Sequence, residues 1–429
     1  METKKTKTGL LSKKMDRRTF LKLSGAAGAT AAVVGFPNVL RGARAKEIKI
    51  GSIQPATGMI AEIGQACRRG NILAVEDINR RGGIKSMGGA KLKLLLGDHE
   101  GKPEVGRSEA ERLIREGAVV LVGAFMSSVT MAIATLAEQR GVPFVIDIAA
   151  ADPITQQGYK YIFRNFPRSS VFGRCFAEYL TKIIERSKVP VKRAVLMNID
   201  DLYGNVTAKF TLKALKEKNV PIEIVDQIVF PHAAKDLSTE VAKVKALKPD
   251  ILLPIVRIAT SRVLVRELYK QRVPLLGIIA PGCPGFYEPE FFRDMGSLAE
   301  YIMDSPPWIN PKSRMFKEVN ERYQKRFNKS PLDTNSAYAY EGVMIIADAL
   351  ERAASTDPDK IVEALRKTYI EEHITLGGPI SFDEKGDNIN AITGMLQNLG
   401  GRTRLVLPER FAEADYVFPM PKQLWERGV

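Results

Sequence analysis

Residues 119–148 read VVLVGAFMSSVTMAIATLAEQRGVPFVIDI, and this stretch decides the fold. The run from Val119 to Val122 is apolar without a break and ends in Gly123. A strand buried on both faces reads this way, because helices cover both sides of a parallel sheet and leave it no polar face. Ser127 and Ser128 come next, followed by a helical pattern from Val129 to Gln139. Gly141 predicts the helix stop, Val142-Pro143 a turn, and Phe144 to Ile148 the next parallel strand. The unit is β-α-β with two hydroxyls where the helix begins. A helix N-terminus presents unpaired N–H groups and a partial positive charge, so it suits a carboxylate. Taken alone, Ser127 reads first as a plain N-cap.

The same alternation runs outward in both directions. Upstream, strands are expected at 47–53 and 91–96, with helices at 63–79 and 103–116. Downstream, a short strand at 161–164 precedes a helix at 170–187. Strands then follow at 194–197, 222–229, 251–256 and 275–279, with helices at 205–218 and 237–247 between them. Helices at 313–327, 338–354 and 358–367 come next, then a closing hairpin region from Gly377 with strands near 391–398 and 403–407. Two runs of alternating strand and helix predict an α/β fold of two doubly wound lobes with parallel central sheets. Such sheets bind ligands beyond the carboxyl ends of their strands. The polar loops 127–128, 149–152, 198–203, 257–260 and 280–285 all follow strands, so a shared site is expected in the cleft between the lobes.

The 429 residues suffice for two or three domains with substantial cores. Cys67, Cys175 and Cys283 are far apart, and neither they nor the three histidines have metal-ligand spacing, so no metal is expected. The N-terminus reads as an export signal. Lysines 4, 5, 7, 13 and 14 precede Arg17-Arg18-Thr19-Phe20-Leu21-Lys22, then a Gly/Ala-rich apolar segment, then Ala43-Arg44-Ala45. The paired arginines are similar to the twin-arginine signal, with cleavage expected after Ala45 and the mature chain in the periplasm. Residues 1–45 carry ten Lys/Arg against two Asp/Glu, so they hold +8 of the net +15. The remaining +7 is too modest to call for a nucleic-acid partner.

In this order, several short motifs resemble the periplasmic solute-binding proteins of ABC importers, type I fold, in the leucine/isoleucine/valine-binding group. They are Ile48-Lys49-Ile50-Gly51 with Thr57-Gly58, Ala74 to Asn79 with Gly82-Gly83-Ile84, Gly123 with Ser127-Ser128, Tyr203-Gly204, and Gly378 to Asp383 with Gly386. The resemblance covers about residues 46–420 and implies two lobes joined by a multi-strand hinge. It places 46–168 and 304–370 in the first lobe, 169–303 and 371–410 in the second, and a tail over 411–429 lying along the surface. Hinges are expected near 167–170, 301–307 and 370–377.

The resemblance also implies a ligand-binding set of Ser127, Ser128, Ala149, Ala151, Tyr203, Arg257, Gly282 and Ile63. Ser127 matches the serine that holds the ligand carboxylate in the amino-acid binders. Ala149 lies where they offer backbone, and Ala151 replaces a threonine. Tyr203 matches a tyrosine of the second lobe, and Ile63 stands where a tyrosine is frequent. Arg257 falls where they have an aromatic or small residue, and Gly282 where they carry the acid that pairs with the ligand ammonium. A buried ammonium without a carboxylate is costly, whereas an arginine fork suits a carboxylate. The expected ligand is therefore an aromatic or short organic acid, with an amino acid as the alternative through Asp200 or Asp201. The expected partners are that solute and a membrane permease, with a monomeric chain and no cofactor. A ligand-sensing receptor without transport is the rival of another class. An enzyme is disfavoured, since no nucleophile elbow, P-loop or HExxH motif is present.

Overall fold

The first apolar alternation forms β1 (Ile48–Gln54), and every later apolar run pairs beside it or builds a second sheet. The computed structural model describes residues 47–328 and 330–427. In the first sheet β1 lies between β2 (Leu92–Asp98) and β3 (Val120–Gly123), followed by β4 (Phe144–Ile146) and β5 (Ile162–Arg164). All four pairings are parallel. Helices α1 (Ala61–Arg80), α2 (Pro103–Arg115) and α3 (Ser127–Arg140) connect the strands. Successive strand residues point to opposite faces. Val120, Val122 and Val145 therefore pack with Leu73 and Ile78 of α1, while Leu121, Phe144 and Ile146 pack with Leu113 of α2 and Ile133 of α3. Each such buried side chain contributes about 1.5–3 kcal/mol, which is why these runs hold no polar residue.

The chain then crosses into the second half. There α4 (Ser169–Glu185), β6 (Arg193–Asp200), α5 (Leu202–Glu217), β7 (Glu223–Pro231), α6 (Ser238–Leu247), β8 (Ile251–Ile255), α7 (Ile258–Lys270), β9 (Gly277–Ala280) and α8 (Pro289–Met295) succeed one another, ending at β10 (Met303–Asp304). Helices α9 (Arg314–Arg326), α10 (Thr334–Ala353) and α11 (Pro358–Arg366) return to the first core, where Tyr323, Tyr340, Ile346 and Leu365 are buried. Strands β11 (Met395–Asn398) and β12 (Thr403–Leu407) complete the second sheet, in the order β12-β11-β10-β9-β8-β6-β7. It is parallel from β7 to β10 and antiparallel from β10 to β12. The α/β architecture of two mostly parallel sheets is as expected. No helix among the described residues is long and apolar enough to cross a membrane.

Four local expectations are corrected. Ser127 is not the N-cap of α3: Met126 occupies that position, and no side chain caps the helix. Gly141 does end it, in the left-handed region at φ 63°, with its N–H on the carbonyls of Ala137 and Glu138. The short strand β10 and helix α8 carry no periodicity long enough to read and were not expected. The tail does not simply lie along the surface. Phe418, Met420 and Leu424 pack on the second core, and the Met420 N–H donates to the Leu276 carbonyl at 2.8 Å.

The segment expected to open the second lobe at 371 instead packs on the first sheet. Ile374, Ile380 and Phe382 lie in the first core, and the Phe382 ring meets Phe163 edge-on at 5.4 Å. Asp387 explains the anchoring. Its Oδ1 accepts from Nε of Arg164 at 2.8 Å, and its Oδ2 from Nη1 of Arg168 at 2.9 Å. The chain reaches the second sheet only past Ala391. There the Gly394 N–H donates to the Pro306 carbonyl at 3.0 Å, and the Thr393 and Ser305 hydroxyls lie 2.9 Å apart.

Candidate functional site

The carboxyl ends of both sheets face a common cavity of about 410 Å³, including its solvent-open mouth. From the first half come Phe125 after β3, Ile148 to Ala150 after β4, and Phe166 after β5. The second half supplies Phe172, Tyr203, Arg257, the Gly282 to Pro284 turn and Tyr287. Pro306 and Pro307, on the crossing segment, and Asn335 of α10 close the remainder. Aromatic rings dominate the walls, and Phe166 meets Phe172 edge-on across 5.9 Å.

The polar chemistry gathers on the second half. Arg257 is buried at the start of α7, its guanidinium carbon 5.3 Å from the Tyr203 ring centroid and 5.9 Å from that of Phe125. One Nη donates to Oδ2 of Asp201 at 2.6 Å, while Nε has no hydrogen-bond partner among the described residues. Asp201 also caps α5, accepting from the Gly204 N–H at 2.7 Å. Burial holds the Tyr203 phenol neutral by pushing its pKa well up, and its hydroxyl donates to the Gly282 carbonyl.

Gly282 has φ 95°, which L side chains avoid. A Cβ there would lie 2.7 Å from the Ser305 carbonyl oxygen and 2.9 Å from the Phe172 ring. Gly282→Ala is accordingly expected to destabilise the fold by about 1–3 kcal/mol, read as a lowered urea midpoint. An unchanged midpoint would contradict the close approach.

Of the residues expected at the site, Ala149, Tyr203, Arg257 and Gly282 line this cavity; Ser127, Ser128, Ala151 and Ile63 do not. The Ser127 hydroxyl is buried and accepts from the Ala151 N–H at 3.3 Å. Ser128 is half-buried on α3. The Ala151 carbonyl receives an Arg164 Nη at 2.8 Å. Ile63 packs with Phe125 and Ile148 behind the wall. Sequence reasoning missed Phe125, Phe166 and Tyr287. The first two follow strand ends directly, a signal that was available.

Beneath the cleft lies a buried polar cluster. Asp147, next to Ile148, accepts from Nε2 of Gln54 at 2.6 Å and from the Ile148 N–H at 2.7 Å. Burial raises its pKa to about 7. A folded-state value above the unfolded one near 3.9 means the contribution is full below about pH 4 and lost as pH rises through 7. Asp147→Asn should therefore gain on the wild type by up to about 4 kcal/mol between pH 4 and pH 7 in urea unfolding. A difference independent of pH would contradict this. Among the described residues no group of three or more His, Cys, Asp or Glu could hold a metal ion, and the three cysteines are free and buried.

Two mostly parallel sheets meet over an aromatic chamber, an arrangement suited to holding a small solute. The chain belongs to the periplasmic binding protein family, whose model matches residues 47–396. A twin-arginine translocation pathway signal matches residues 14–34, and the protein is exported to the periplasm. The expected cleavage after Ala45 falls outside the described residues. Leu/Ile/Val-binding protein homolog 7 of Brucella abortus (strain 2308) is 28% identical over 386 residues, covering 87% of this chain and 94% of that protein. A leucine binding protein from Thermotoga maritima MSB8 superposes with a TM-score of 0.73 at 24% identity, covering 83% of this chain and 97% of its own. A solute binding protein of an ABC transporter from R. palustris, in complex with benzoate, superposes at 0.71 with 18% identity, over 83% and 94% of the two chains. The protein is the periplasmic solute-binding component of an ABC transporter.

Proposed function

We propose that the cleft captures a small aromatic or short organic acid, with the solute's carboxylate at Arg257. One observation carries this reading: a buried guanidinium with a free Nε faces a chamber walled by Phe125, Phe166 and Tyr203. An arginine fork suits a carboxylate, and aromatic walls suit a ring. Gly282 supports it further, because no acid fits where the amino-acid binders carry one. The protein binds its solute without chemistry and hands it to a membrane permease, acting as a monomer. The open form takes the acid between the Ala149–Ala150 backbone and Arg257, and the halves close by bending where the chain crosses. Those crossings are near 167–170 and 301–307, with the third at 391–394 in place of 370–377.

The branched-chain amino-acid reading stays as the second, favoured by the Brucella relative's name and by a chamber apolar enough for an aliphatic side chain. A thermal-shift screen separates the two. Benzoate and related acids are expected to raise the melting temperature at concentrations where leucine, isoleucine and valine do not. Stabilisation by the amino acids alone would overturn the acid reading.

A further inference from the structure

Beside the aromatic chamber, and sharing Tyr287 and Asn335 with it, a second chamber of about 850 Å³ including open solvent runs between the two halves. Ile63 and Arg69 of α1 form one side, Tyr287 and Glu288 the other. Glu288 is 6% exposed, yet among the described residues neither of its carboxylate oxygens has a hydrogen-bond partner on another residue. Burial pushes its carboxyl well above the usual range, and the charges of Asp304, Asp333 and Glu290 add to the rise. Among the described residues the one cation on the walls is Arg69, and its Nε donates to the Tyr323 hydroxyl at 2.7 Å. A buried acceptor left unmet is destabilising, so such groups nearly always have a partner. Here the described residues supply none, and they offer no metal-binding group that would.

We propose that Glu288 is a specificity-determining residue, accepting a hydrogen bond from a hydroxyl or amine that the solute carries away from its carboxylate. This rests on the aromatic-acid reading and extends it. Tyr287 and Asn335 are walls common to both chambers, so the proposal requires a substituent on the ring that passes Tyr287 to reach Glu288. A plain aromatic acid bound at Arg257 leaves Glu288 unmet. A hydroxy- or amino-substituted one satisfies it, and the surrounding acids make an ammonium at that position favourable as well. Glu288 therefore selects substituted over unsubstituted acids.

The test is calorimetric titration of the exported protein, and of its Glu288→Gln and Glu288→Ala variants. The ligands are benzoate, 3-hydroxybenzoate, 4-hydroxybenzoate and 4-(aminomethyl)benzoate. At least one donor-bearing acid is expected to bind the wild type about tenfold more tightly than benzoate. In Glu288→Ala that advantage should fall to about twofold or less, with benzoate affinity retained. Glu288→Gln keeps an acceptor, so it should preserve a hydroxyl preference and lose an ammonium preference, which tells the two sources apart. Equal affinities for all four acids in the wild type, or an advantage that survives in Glu288→Ala, overturns the role of Glu288 and leaves the carboxylate reading standing. The wild-type comparison decides this even where a variant does not fold. Failure of every one of these acids to bind overturns the carboxylate reading and this inference together.

Discussion

Arg257→Ala is expected to weaken aromatic-acid binding by about 30-fold to several thousand-fold, the equivalent of roughly 2–5 kcal/mol for truncating one partner of a buried charge pair. The size of the effect follows from where the guanidinium lies. It is buried between the Tyr203 and Phe125 rings, where a carboxylate has little water to fall back on. Asp201 occupies one Nη, so the variant also frees a carboxylate that repels an anionic solute. Arg257→Lys is the sharper control, since it keeps the charge and loses the planar fork. It should recover only part of the affinity. Titration of both variants with benzoate checks this, and an affinity within about twofold of wild type in Arg257→Ala would contradict it.

Asp387→Ala is expected to destabilise the fold by about 3–5 kcal/mol, because it leaves a buried guanidinium without its counter-charge. The Arg164 side chain is fully buried, and Asp387 is its acidic partner. The same guanidinium holds the carbonyls of Ala149 at 3.2 Å and Ala151 at 2.8 Å, so this pair also fixes the floor of the cleft. Pairing Arg164→Met with Asp387→Leu removes both charges and should regain part of the loss. Recovery should be incomplete, since the two carbonyls then lose their donor. Urea unfolding of the two single variants and the pair reads the coupling directly. Single and double variants equally destabilised would show that the charge left behind is not the cause.

The β3-α3-β4 core was legible because it obeys simple patterns: an unbroken apolar run, a helix closed by Gly141, and a second apolar run. The stretch from Ile370 to Asn390 was not, because no hydrophobic period organises it. One isolated bridge at Arg164, one carboxylate on Arg164 and Arg168, and the scattered apolar residues Ile374, Ile380 and Phe382 hold it to the first core, and such contacts leave no trace in local sequence. At the cleft, Arg257 and Gly282 could be singled out only as departures from a family pattern. Their geometry explains the pairing: a glycine where any side chain would be strained lies opposite the Tyr203 hydroxyl, on the wall that carries the cation. Tyr287 and Asn335 come from a loop and a distant helix, and only the folded chain brings them to one chamber.

A crystal structure of the protein soaked with benzoate tests the central claim most directly. The account predicts the ring among Phe125, Phe166 and Tyr203, with a carboxylate oxygen within about 3 Å of the Arg257 guanidinium. A carboxylate held instead at Ser127, with Arg257 making no contact to it, would contradict it.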